Sequence, residues 1–388
     1  MVPKNLIALS TLMVLIGCGG GSEKAAPPPT STQPAPSPAP VPSSGQQFYV
    51  SASGLDSNPG SQSAPWATIQ HAAILAAPGD TVHVAPGTYS ASVKTTTSGS
   101  SSARIRFVSD VQWGAHINTV GATTSWENDG DYVDILGFSV SGDGDIGILN
   151  QGSNVRIIGN EVHDVPVTDC TDNGGAGIDN ANYSAQNDDT IANYVHDIGS
   201  VARGCPRVQG IYHSNAGGHI WNNISVRNEA WGIQLWHAAN AVTVANNVSS
   251  QNGQGGITVG AGDAPGGVTA NNMLVTNNVV VYNGSDASGA GILEAGATGP
   301  NNRYGNNVVF GNPTPISLLT GSASNTIVAD PNLLNAPNPQ QLCNSSFIIK
   351  GGTATGAPPN DANGATRSNP PDIGPYQCGA GDPAWPWM

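Results

Sequence analysis

Three short phrases share one frame and carry most of the side chains able to do chemistry: GID from Gly177, GIYHS from Gly210 and GIQLWH from Gly232. If the isoleucine of each faces inward, the next residue faces outward. Asp179, Tyr212 and Gln234 then share one surface, with Trp236 and His237 just beyond. Removing the weakly acidic proton beside a sugar carboxylate takes a base, a cation or donors to neutralise the carboxylate, and an acid for the leaving oxygen. Tyr212, His213 and Asp179 are the candidate acid and base. Arg207 and Arg203 can each grip a carboxylate with two parallel hydrogen bonds. Trp236 and Trp231 offer flat faces to a sugar ring, and Gln234 and His237 offer hydrogen bonds.

The elements that must position these groups are repeats. An Asn step before an apolar run recurs at Asn160, Asn193, Asn222, Asn246, Asn277 and Asn306, at intervals of 33, 29, 24, 31 and 29 residues. Gly-Ile recurs between the steps, at Gly147, Gly177, Gly210, Gly232, Gly256 and Gly291. Periods of this length signal a solenoid. Apolar residues alternate and no stretch is long enough for an amphipathic helix, so each unit reads as strand, turn, strand. Stacked coils place equivalent strands in parallel about 4.8 Å apart. The aligned asparagines then form a hydrogen-bonded ladder at a bend, satisfying backbone groups that turning would orphan.

The outward column reads Leu149, Asp179, Tyr212, Gln234, Thr258 and Leu293, with Gln151, Ala181, Ser214, Trp236, Gly260 and Ala295 two residues on. Polar and aromatic groups concentrate in the central coils, as a sugar-binding groove requires. Two insertions, 165–176 and 198–208, precede the Gly-Ile strand in consecutive coils and carry Asp169, Asp172, Arg203 and Arg207 to the edge of that face. Loops of this length in a compact solenoid are commonly functional. Strict alternation turns His213 inward, where it would be a hydrogen-bonded core residue. His163 and His196, in matched VHD phrases, predict a stacked surface ladder rather than a metal site. Asp188 and Asp189 read as turn residues, with a Ca²⁺ site built from them and loop carboxylates as the alternative.

The chain of 388 residues has 50 Gly, 29 Pro and 10% charged residues, with a formal net charge of −14. Such a body repels nucleic acid and anionic membrane surfaces, and a monomer is expected. Residues 1–17 hold one lysine and an apolar run too short to span a bilayer, the anatomy of a signal peptide. Leu15-Ile16-Gly17-Cys18 resembles the lipobox of bacterial lipoproteins. That likeness implies lipidation of Cys18 and, with Gly19 rather than Asp following, an outer-membrane or cell-surface location. The Pro-rich stretch 18–46 is a tether, 47–378 the repeat body and 379–388 a tail. Without Cys18, the cysteines number four: Cys170, Cys205, Cys343 and Cys378. Four allow three pairings; the matched insertions favour Cys170–Cys205 with Cys343–Cys378.

FYVSASGLDSNPGSQSAPWATIQHAAILAAPGDTVHVAPGTYS, from Phe48, resembles the N-terminal cap of right-handed parallel β-helix proteins of the pectate-lyase-like superfamily. The closing ADPNLL and GATRSNPPDIGPYQ resemble the last coil of such proteins. The resemblance implies an all-β, right-handed parallel β-helix in which a short helix within 67–80 caps the apolar end and TVHV at 81–84 is the first strand. It also implies a polysaccharide partner, although the superfamily spans lyases, hydrolases, epimerases and adhesins. The leading expectation is a surface polysaccharide lyase acting by β-elimination on a uronate-containing glycan. Two alternatives stand beside it. One is a glycoside hydrolase pairing Asp179 with Glu229 or Glu294; the other is a non-catalytic glycan-binding solenoid with Tyr212 and Trp236 as platforms. One departure matters: such lyases commonly use a Lys or Arg base over bound Ca²⁺, and no lysine lies between Lys94 and Lys350.

Overall fold

The computed structural model describes residues 45–168, 170, 174–263, 266–284, 289–333, 339–381, 383 and 385. The signal segment, Cys18, nearly all of the tether, Asp169, Asp172 and much of the tail lie outside the described residues. No helix among those described is long and apolar enough to cross a membrane.

Each repeat supplies three short strands, and every named strand pairs in parallel with its copy one coil away. The result is one sheet of eleven strands and two of nine, stacked as the faces of a parallel β-helix. The sheet that concerns function runs through Ile146–Asn150, Gly175–Asn180, Val208–His213, Trp231–Leu235, Gly255–Ala261 and Ala290–Gly296. Its inward column is Ile148, Ile178, Ile211, Ile233, Ile257 and Ile292, all in register and fully buried. Each such side chain contributes roughly 1.5–3 kcal/mol on burial, so this column fixes which residues face out.

The asparagine ladder exists, but its register differs from the sequence alignment by one residue in most coils. The rungs are Asn160, Asn193, Asn223, Asn247, Asn278 and Asn307, and the side-chain amide of each of the first five donates to the carbonyl oxygen of the copy one coil later at 2.9–3.0 Å. In the Asn-Asn doublets it is the first residue that adopts a left-handed backbone: Asn222, Asn246, Asn277 and Asn306 have φ between 55° and 59°. Asparagine tolerates this conformation well, so each doublet divides the bend between a turn-maker and a rung. A second ladder runs through Asn228, Asn252, Asn283 and Asn312, and a third through Asn128, Asn150 and Asn180, donating in the same direction.

The helix Ile69–Leu75 closes the N-terminal end, burying Ile69, Ala72 and Ala73 against the core. Thr68 caps it by accepting from the His71 N–H at 3.1 Å, and Asp56 holds Thr68 and Ala67 in place. A strand precedes the one expected to be first: Gln47–Val50 pairs with Thr81–Val84 at the sheet edge. The closing segment does not form another coil. Among the described residues the last strand is Ser322–Ser324, and residues 342–378 lie along the flank. There Ile224, Val226, Val248, Val279, Val281 and Val308 pack under Leu342, Ile348 and Ile373. Asn246 donates to the carbonyls of Asp372 and Gly374, and Asn277 to that of Thr353. The apolar outward residues of that sheet explain the detour, since they need a cover. The Cys343–Cys378 disulfide staples this strap.

Candidate active site

Parallel pairing places Leu149, Asp179, Tyr212, Gln234, Thr258 and Leu293 side by side on successive strands, as the alternation requires. Asp179, Tyr212 and Gln234 floor a cavity of about 440 Å³. One wall is built where the two insertions meet. Cys170–Cys205 joins them with a Cα–Cα distance of 5.8 Å, and Gly174, Pro206 and Arg207 line the cavity there. Gly174 has φ of 64°, and a Cβ on it would lie 1.9 Å from the Arg207 carbonyl oxygen, so the Arg207 backbone seats against a position only glycine can fill. The opposite wall stands at the C-terminal ends of the strands, where Tyr183, Trp236, His237 and Asp263 gather.

Asp179 is half-buried, and its Oδ1 is inaccessible with no hydrogen-bond partner. Desolvation penalises its charged form and pushes the carboxyl pKa up to about 7. Burial, together with the charge of Asp179, also raises the Tyr212 phenol well above its ordinary range. His237 Nδ1 lies 2.5 Å from Asp263 Oδ1, the Tyr183 ring packs on His237 with centroids 4.3 Å apart, and Tyr212 meets it edge-on at 5.9 Å. Gln209 donates to Gln234 Oε1 at 3.0 Å, fixing that amide on the floor.

Three expected site residues are placed elsewhere. His213 is fully buried and takes a rung of the third ladder, its Nδ1 3.3 Å from Asn180 Nδ2 and its Nε2 3.2 Å from the Gly217 carbonyl oxygen. Burial drives its pKa down to about 4, so it is neutral in the core. Arg203 cannot grip a substrate while it holds buried Glu229, donating to Oε1 at 2.8 Å and Oε2 at 2.5 Å, and to the Val167 carbonyl. Trp231 lies over Gly255 in the next coil, outside the cavity lining.

The carboxylates proposed to pair with Asp179 are also engaged inside the coils. Glu229 accepts from Arg203 and from the Ser200 and Cys205 N–H groups. Glu294 accepts from Leu319, Thr320 and Gly321 N–H groups and from Asn302 and Tyr304. His163 and His196 form the expected stacked pair, centroids 5.3 Å apart, on another sheet.

The alternation argument missed Tyr183 and Asp263. Both lie just past the end of a strand, where counting inward and outward positions stops working. The usable signal was spacing: Asp263 follows His237 by 26 residues, close to one coil.

A calcium ion would need oxygens converging from several sides. Among the described residues no three His, Cys, Asp or Glu side chains gather that way. Asp263 is engaged by His237, buried Asp188 accepts from the Val155 N–H and from Asn215, and Asp189 turns away to pair with His219. The loop carboxylates Asp169 and Asp172 of that calcium reading lie outside the described residues.

The fold matches that of pectate lyase Pel9A with TM-score 0.60 at 15% identity, covering 86% of this chain and 97% of that one. A rhamnogalacturonan lyase matches with TM-score 0.53 at 17% identity, covering 75% and 91%. An alginate lyase from Paenibacillus sp. str. FPU-7 matches with TM-score 0.52 at 18% identity, covering 73% and 95%. At these identities the likeness is one of fold. Comparison with curated proteins finds no match. The sequence pattern of the Pel9A-like, right-handed β-helix region matches residues 48–320, most of the chain, and the protein belongs to that family.

Proposed function

We propose that this protein cleaves a uronate-containing polysaccharide by β-elimination in the groove between the Arg207 wall and the His237 wall. The observation that carries this reading is Asp179: a carboxylate on the floor of a cavity, with one oxygen unpartnered and a pKa near neutrality, beside a tyrosine that keeps its proton. Arg207 pairs with the uronate carboxylate, which makes the C5 proton more acidic. Ionised Asp179 takes that proton as the C4–C5 double bond forms and the C4–O bond breaks. Tyr212 gives its proton to the departing oxygen, and transfer from Asp179 to Tyr212, neighbours on adjacent strands, restores both. Base and acid are then the two ends of one short proton path. The fold relatives named as lyases support the reaction type. Cys18, if lipidated as its flanking residues suggest, would hold the groove at the cell envelope.

The test is to incubate the purified protein with acidic and neutral polysaccharides, with and without chelator, and follow ultraviolet absorbance of the new double bond. Elimination is expected, and Asp179→Asn should reduce it by about 100-fold or more, the usual scale for a lost general base. New reducing ends without absorbance would instead mean hydrolysis, and binding without either would make the groove a glycan receptor; both outcomes overturn the proposal.

A further inference from the structure

Asp179 and Tyr212 are register partners on the adjacent strands Gly175–Asn180 and Val208–His213, each one position after an inward isoleucine. Equivalent strands of stacked coils lie about 4.8 Å apart, and side chains at paired positions leave a sheet on the same face. Both groups therefore enter the cavity from below, at neighbouring points of its floor. Gln234, the next floor residue, has no titratable proton, and Gln209 fixes its amide. Among the described residues, the other titratable side chains of the lining stand at the strand ends. Tyr183, His237 and Asp263 pack on one another at the C-terminal end, with His237 Nδ1 2.5 Å from Asp263 Oδ1 and the Tyr183 ring against the imidazole. Arg207, at the opposite end, is a permanent cation. A sugar ring lying on the floor thus has its proton acceptor and its proton donor beneath one face.

That placement selects the stereochemistry of elimination. The C5 proton passes to Asp179, and the C5–H electron pair becomes the second bond between C4 and C5. The C4–O bond breaks with its electron pair on the departing oxygen, which takes the Tyr212 proton. No water is consumed: one fragment ends in an unsaturated uronate, the other in a hydroxyl. A base and an acid beneath one face can serve both atoms only where C5–H and C4–O point to that face together. In glucuronate and mannuronate the two bonds lie on the same face of the ring. In galacturonate, guluronate and iduronate they lie on opposite faces.

We infer that the groove works by syn elimination, on a uronate of glucuronate or mannuronate configuration substituted at O4. The inference rests on the elimination reading and adds to it the face from which the ring is attacked. A galacturonate or guluronate seated on the same floor would present one reacting bond to Asp179 or Tyr212 and turn the other away. It would forgo the contribution of one positioned acid or base, about 10²–10⁴-fold.

The experiment uses pairs of polymers whose uronates are epimers. Polymannuronate and polyguluronate differ at C5, as do the uronates of chondroitin and dermatan, while polyglucuronate and polygalacturonate add a contrast at C4. Initial rates of double-bond absorbance are measured on each with the purified protein. In any pair that is cleaved, the first member should exceed the second by about 100-fold or more in kcat/KM, and Tyr212→Phe should slow cleavage of that first member by a similar factor. Polyguluronate, dermatan or polygalacturonate cleaved as fast as its partner overturns the inference while leaving elimination intact. So does a Tyr212→Phe variant that keeps the wild-type rate. If no polymer gains a double bond, the elimination reading fails and this inference fails with it.

Discussion

Asp179 and Tyr212 owe their contact to the fold, because the positions after Ile178 and Ile211 are paired across adjacent strands and both must face out. Their neighbourhood sets their chemistry. The Asp179 carboxyl, raised from 3.8 to about 7, retains its proton when folded over a range where the unfolded chain has lost it. Stability therefore declines as pH rises through that window, by up to about 1.4 kcal/mol per pH unit. Asp179→Asn should remove this decline, so the variant should melt above the wild type at pH 8 and close to it at pH 4 while losing activity. Thermal melts of both proteins across that range check it.

His213 answers to different constraints. At a ladder rung, Asn can do what His213 does, so His213→Asn should keep both fold and turnover. His213→Leu, which leaves Asn180 short of a partner, should cost about 1–3 kcal/mol. Melting and rate measurements on the two variants separate a structural from a catalytic His213. Tyr212, Asp179 and Gln234 could be placed from sequence because period-two alternation holds inside a strand. Arg203 could not, since its partner Glu229 is one coil away and only packing joins them.

At the scale of elements, the groove is a flat sheet made concave by two loops. The 198–208 loop carries Arg207 and is fastened through Cys205 to the loop of the preceding coil. Closing a span of 35 residues restricts the unfolded chain by about 4 kcal/mol in the loop-entropy view. Replacing both Cys170 and Cys205 by Ser should lower the melting temperature. It should also raise KM more than it lowers kcat, because Arg207 loses its seat on Gly174 while Asp179 and Tyr212 stay in their strands. Steady-state kinetics of the double variant check that split. The insertions and their shared disulfide were visible as matched interruptions of a repeat. Of the opposite wall, Trp236 and His237 were visible in the GIQLWH phrase, but Tyr183 and Asp263 were not, because they come from turns of other coils with no common phrase.

For the whole molecule, the repeat made the coil legible, since every unit restates the same inward isoleucine. The strap was read as the last coil from its resemblance alone, although its Pro- and Gly-rich sequence holds few of the alternating apolar residues a coil needs. Its role depends on the outward-facing valines it buries, which are distant in sequence. The asparagine rungs carry one more consequence. In all three ladders the amide of an earlier coil donates to the oxygen of a later one. A part-built solenoid thus ends in a row of side-chain donors awaiting acceptors, each met by the asparagine of the next segment to fold. The columns act as a one-way template, and their direction of growth is that in which a ribosome delivers the chain.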